Sequence, residues 1–84
     1  MVPLTALNPG QVGLIHQLRG GHEFVSRLAA LGFTPGTPVV VTRNHGFGPL
    51  IVSVRGAQVA LGRGEASRVL VYVEEAVDAL SNSH

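Results

Sequence analysis

The 84-residue chain has no cysteine, no lysine and no tryptophan. Without cysteine there is no disulfide, no thiolate nucleophile and no Cys-type zinc site. Its positive charge rests on six arginines set against five acids, for a formal net charge of +1. That is not the electrostatic footprint of a dedicated nucleic-acid binder. Aromatics are few, Phe24, Phe33, Phe47 and Tyr72, and they do not interleave with the arginines to stack bases. No apolar run approaches the roughly 20 residues of a membrane-spanning helix, and the N-terminus lacks the basic segment and hydrophobic core of a signal peptide. These absences predict a cytoplasmic protein that neither inserts into a membrane nor binds nucleic acid.

What is present is apolar. Hydrophobic residues make up 45% of the chain and charged ones 13%, below the usual quarter. A chain of this length hides only about 60% of its unfolded surface, so an apolar excess implies a surface for a partner, a second copy included. We expect one domain over residues 1–75 and a tail over 76–84 that frays as a helix or stays disordered.

Residues 28–41, L-A-A-L-G-F-T-P-G-T-P-V-V-V, carry the most information. Leu28 and Leu31 stand at helical spacing before Gly32, which readily takes the left-handed conformation just past a helix end. Phe33 falls where a Schellman stop wants an apolar residue to close over Leu28. Pro35 presets the second position of a β-turn and Gly36 supplies positive φ at the third, after which Val39, Val41 and their neighbour favour extended chain. The segment reads as helix, tight turn and strand.

The remaining pattern is mostly β. Residues 4–13 form an irregular approach with a Pro9-Gly10 turn, and Leu4 and Leu7 pin it to the core. A strand over 12–18 is followed by a helix from about His22 to Leu31. The helix carries Phe24, Val25, Leu28 and Leu31 on one stripe and Glu23 and Arg27 spaced to pair on the other. Strands follow over 37–43, 50–54 and 58–61, the last two joined by a hairpin at Arg55-Gly56 in which Gly56 takes positive φ. A single helical turn over 65–68 precedes a strand over 69–73 whose buried face is Val69, Val71 and Val73. Five short strands, one inserted helix and one helical turn describe a mainly β fold, a small barrel that removes the exposed edges of an open sheet.

Leu4, the Pro9-Gly10 turn, Arg27-Leu28-x-x-Leu31-Gly32-Phe33-x-Pro35-Gly36, Gly48-Pro49, Arg55-Gly56, and residues 60–66 (A-L-G-R-G-E-A) with the Val69-x-Val71 strand together resemble the FeoA family. The resemblance covers roughly residues 4–73. It implies an SH3-like barrel and a small cytoplasmic accessory protein of bacterial ferrous-iron uptake, acting with the cytoplasmic part of the FeoB transporter, which carries a GTP-binding domain. The same barrel forms the C-terminal domain of iron-dependent repressors of the diphtheria-toxin-repressor type, so an iron-responsive sensor module is the alternative. No DNA-reading helix-turn-helix precedes the barrel, which favours the accessory protein.

Candidate chemistry is sparse. His16, His22, His45 and His84 show no H-x-x-H or H-x-x-x-H spacing, and adjacent His22 and Glu23 point about 100° apart on a helix, so no intrachain metal site is expected. Ser26, Ser53 and Ser67 lack a pattern for nucleophile activation. Gly46-x-Gly48 is too short for a dinucleotide fingerprint and no lysine follows it. Arg43, Arg55, Arg63 and Arg68 are expected to be scattered and solvated; were they gathered in one groove, a small RNA-binding barrel would be a further alternative. No enzyme and no cofactor are expected. The partner-binding candidates are Val25, Leu28, Leu31, Phe33 and Phe47, on the principle that one helix cannot cover a barrel on all sides. Gly32, Pro35, Gly36 and Gly56 are the structural turn residues.

Overall fold

Hydrophobic periodicity changes at Gly32, and the backbone changes with it. The computed structural model of the protein describes residues 1–74; the tail expected over 76–84 lies outside them. In chain order come β1 (Val2–Pro3), a 3-10 turn (Leu4–Ala6), β2 (Val12–Leu18), α1 (His22–Ala30), β3 (Pro38–Arg43), β4 (Leu50–Val54), β5 (Ala57–Leu61), α2 (Arg63–Ala66) and β6 (Val69–Glu74). β2 and β4 fall on the expected residues. α2 begins two residues before the expected turn, and a sixth strand is added at the N-terminus.

The strands make one antiparallel sheet in the order β1-β6-β2-β3-β4-β5. Its two ends, β1 and β5, do not pair with each other. Instead α2, which follows β5, packs on the 3-10 turn that follows β1. The expected closure that removes exposed edges is therefore not reached by strand pairing: two helical pieces meet at the gap, and among the described residues the outer edge of β5 stays unpaired.

Alternation places one face of every long strand in a single core. Val39 and Val41 of β3, Leu50, Val52 and Val54 of β4, and Val69 and Val71 of β6 are buried together with Leu4, Leu7, Ile15 and Leu61. Each such side chain contributes roughly 1.5–3 kcal/mol of transfer free energy. Val73 departs from the expected buried face and is exposed. Its partner across the ladder is Gly13, which offers no side chain to cover it. Gly13 is itself needed for packing, because a Cβ there would lie 2.8 Å from Cγ2 of Val71.

The helix exit is a Schellman motif. Phe33 N–H donates to the Leu28 carbonyl and Gly32 N–H to the Ala29 carbonyl, both at 3.0 Å, with Gly32 at φ 106°. Leu28 and Phe33 close this stop from inside the core. In the next turn Thr37 N–H reaches the Thr34 carbonyl at 3.0 Å across Pro35 and Gly36, and Gly36 has φ 87°. β4 and β5 meet at Arg55-Gly56, where both residues have positive φ, 50° and 80°. That is a two-residue turn of type I′, whose twist matches the flanking strands.

Candidate functional site

The five partner-binding candidates, expected around the helix or on the Phe47 loop, separate by burial. Leu28 and Phe33 are 1% and 0% exposed and belong to the core, so neither lines a surface. The Schellman exit that gives Phe33 its apolar contact also turns it inward. Val25 is half-buried against the same core. Leu31 and Phe47 are the two that reach solvent, at 44% and 75% exposure.

They do not share a patch. Leu31 caps α1 beside Gly32, whose α-carbon faces the Arg55 side chain at the tip of the β4–β5 hairpin. Phe47 precedes Leu50, at the opposite end of the same hairpin. The pairs Val54 with Ala57 and Leu50 with Leu61 mark those two ends.

Phe47 stands on a loop, residues 44–49, that is held from both sides. Asn44 sits half-buried where β3 ends. Its Nδ2 donates to the carbonyls of Thr5 at 3.1 Å and Leu7 at 2.8 Å, tying the loop to the N-terminal arm. Its Oδ1 accepts from Gly46 N–H at 3.0 Å and from the Arg63 guanidinium at 2.8 Å. Arg63 Nε donates to the Gly48 carbonyl at 3.2 Å. Gly46 and Gly48, on either side of Phe47, both have positive φ. The His45 ring lies beside Phe47 with centroids 6.3 Å apart. A large aromatic on a loop fixed by several polar bonds, three of them part-buried, loses little freedom on binding, which is the character of an interface anchor.

Asn44 was not among the residues expected to matter, and Arg63, expected to be solvated, is half-buried and bonded to the loop instead. An asparagine opening a glycine-rich loop does signal a local side-chain turn, as its bond to Gly46 shows. Its reach to Thr5 and Leu7, more than 35 positions away, has no local signature.

The histidines stay apart. His16 sits at a bulge in the β2–β6 ladder with its ring edge-on to Tyr72, centroids 4.9 Å apart. His22 Nε2 lies 3.5 Å from Ser26 Oγ one helical turn on, a contact the sequence pattern did not suggest. Both are exposed and the separation is at the limit of a hydrogen bond. Among the described residues no three His, Asp or Glu side chains gather as metal ligands, and His84 lies outside them.

Nor do the arginines line a groove. Arg27 forms an ion pair with Glu65 of α2, in place of the expected partner Glu23. Glu65 also accepts from Gly62 N–H at 3.4 Å, so it links α1 to the start of α2. Arg68 stacks over Phe24 with its guanidinium carbon 4.6 Å from the ring centroid. Arg55 donates to Thr37 Oγ1 at 3.2 Å. Each of these, with Arg63, is committed to a different structural partner.

A family model described as the FeoA domain matches residues 2–73. A protein of Methanocaldococcus jannaschii named "Putative Fe(2+) transport protein A" is 32% identical over 71 residues, 84% of this chain and 85% of that one. A crystal structure of an iron uptake regulatory protein, FeoA, superposes with a TM-score of 0.82 at 40% identity, covering 87% of this chain and 97% of that one. The FeoA of Stenotrophomonas maltophilia, solved with zinc and described as a procaryotic SH3-domain protein, matches with a TM-score of 0.78 at 28% identity over 89% of this chain and 98% of that one. A manganese-dependent transcriptional repressor shares the fold alone, with a TM-score of 0.78 at 23% identity over 86% of this chain and 36% of that one. The SH3-like architecture expected from the sequence is the one these neighbours share. No helix among the described residues is long and apolar enough to cross a membrane.

Proposed function

This chain belongs to the FeoA family, and on that premise we propose that it is a non-catalytic accessory protein of ferrous-iron transport, acting in the cytoplasm by binding the cytoplasmic part of an FeoB-type transporter. The observation that carries the proposal is Phe47, the most exposed large apolar side chain of the described residues, displayed on a loop fixed through Asn44 and Arg63. An unpartnered aromatic of this kind costs solvation in the free protein and repays it when a partner covers it. The curled sheet is the frame, and the contact sits at its rim. Leu31, at the far end of the β4–β5 hairpin, serves as a secondary contact. Val25, on α1, packs against the core.

The M. jannaschii relative carries an iron-transport name, and the S. maltophilia protein is described as a candidate activating factor of ferrous-iron transport. Both descriptions suit a small protein that modulates a larger one by contact. Calorimetry of the full chain against the purified cytoplasmic region of the transporter, with and without guanine nucleotide, tests it. Binding in the micromolar range, about −8 kcal/mol, is expected. No heat and no co-migration at tens of micromolar in either nucleotide state contradicts the proposal.

A further inference from the structure

The two ends of the sheet are unlike each other. β1 is two residues long and ends in Pro3, which has no N–H to offer. Short length and proline are how natural sheets blunt an edge. β5 has neither defence. Its sequence A-Q-V-A-L contains no charge and no proline, and it pairs with β4 at every position without a bulge.

The register fixes which backbone groups are free. Val54 and Ala57 flank a two-residue turn and so form a hydrogen-bonded pair, and the alternation makes Val52 with Val59 and Leu50 with Leu61 the next bonded pairs. Gln58 and Ala60 therefore direct their N–H and C=O away from β4. Both residues are exposed, and among the described residues nothing pairs with them. This is a row of two donors and two acceptors at the spacing of a strand.

Charge states what suits that row. Arg55 stands at one end of β5 and Arg63 just beyond the other; residues 43–64 contain no acid, and Glu65, which follows and accepts from Gly62 N–H, is paired with Arg27. A second copy is disfavoured in the register that uses all four groups. Pairing Gln58 with Ala60 of the other copy centres the two strands on Val59 and sets Arg55 opposite Arg63. Like charges directly opposed across strands destabilise the pair.

We propose that the outer edge of β5 is a strand-capture site that takes an extended, uncharged segment of another protein flanked by acidic residues, adding a seventh strand to the sheet. Main-chain bonds to Gln58 and Ala60 supply the affinity, and the small side chains of Ala57 and Ala60 leave room for the incoming residues. Arg55 and Arg63 are hydrogen-bonded to uncharged partners, Thr37, Asn44 and the Gly48 carbonyl, so their positive charge is not neutralised and favours the acidic flanks. The site shares Arg63 with the Phe47 loop but does not use Phe47, and it exists whichever protein supplies the strand.

The test uses the ¹⁵N-labelled full chain and a short capped peptide of alternating valine and threonine between glutamates. A control peptide carries N-methyl groups on the bonding edge, and a second replaces the glutamates with lysines. On titration, amide shifts and slowed hydrogen exchange are expected at Gln58 and Ala60 and not at Ile15 on β2. The N-methyl control should lose the effect and the lysine control should weaken it. Ala60→Pro removes one outward N–H at an edge position where proline is tolerated, and should abolish binding. Arg55→Asn keeps a residue suited to positive φ and should weaken binding with the fold intact. Unmoved Gln58 and Ala60 amides at saturating peptide would overturn the proposal. So would amides already protected in the free chain, or edge signals that depend on protein concentration alone, which would assign the edge to this chain itself.

Discussion

At the scale of single residues, the helix exit is where backbone chemistry is most demanding. Gly32 holds φ 106°, and a Cβ there would stand 2.9 Å from Cδ of Arg55. Arg55 is flexible at that point, so the larger cost of a side chain is the backbone conformation. Gly32→Val is expected to lose about 1–3 kcal/mol, read as a lower melting temperature; melting equal to the wild type would mean that the left-handed stop is not needed. The two leucines of the same segment separate by burial. Leu28→Ala should cost about 2–5 kcal/mol because it empties the core, whereas Leu31→Ala should stay within about 0.5 kcal/mol in the isolated protein. Equal losses in chemical denaturation would contradict the placement of Leu31 at the surface.

At the scale of elements, the polar bonds of Asn44 couple the N-terminal arm, the 44–49 loop and α2. Asn44→Ala leaves the Thr5 and Leu7 carbonyls without a partner, with an expected loss of about 1–3 kcal/mol. Hydrogen exchange should quicken first in the arm and the loop, ahead of β4. Uniform quickening across the sheet would mean that Asn44 has no local clamping role. Elements set by local chemistry were legible in the sequence. The Leu28–Val41 junction, the Pro35-Gly36 turn and the Arg55-Gly56 hairpin each carry their own punctuation, and each forms as read. What escaped is what depends on distant chain. β1 is defined by pairing with β6, with no periodicity of its own over two residues. Arg27 chose Glu65, 38 positions away, over Glu23 within its helix. Val73 followed the alternation rule and was still exposed, since its cover is decided by the glycine across the ladder.

At the scale of the whole molecule, which of the partner-binding candidates reach solvent was only half legible. An apolar stripe on a helix states that side chains are apolar and says nothing of which ones the barrel encloses, so Leu28 and Phe33 were drawn in with Leu31 and Phe47. Exposure of Phe47 follows from a loop that holds it outward, and that loop is built from bonds between three separate regions. Family membership then sets the context, ferrous-iron transport, for the proposed contact at Phe47. Function by contact predicts that stability and activity respond to different substitutions. Ferrous-iron uptake by cells carrying the transporter, with this chain replaced by Phe47→Ala at equal abundance and equal melting temperature, is the direct measurement. The account predicts that uptake falls toward the level of cells lacking the chain; uptake indistinguishable from wild type would contradict it.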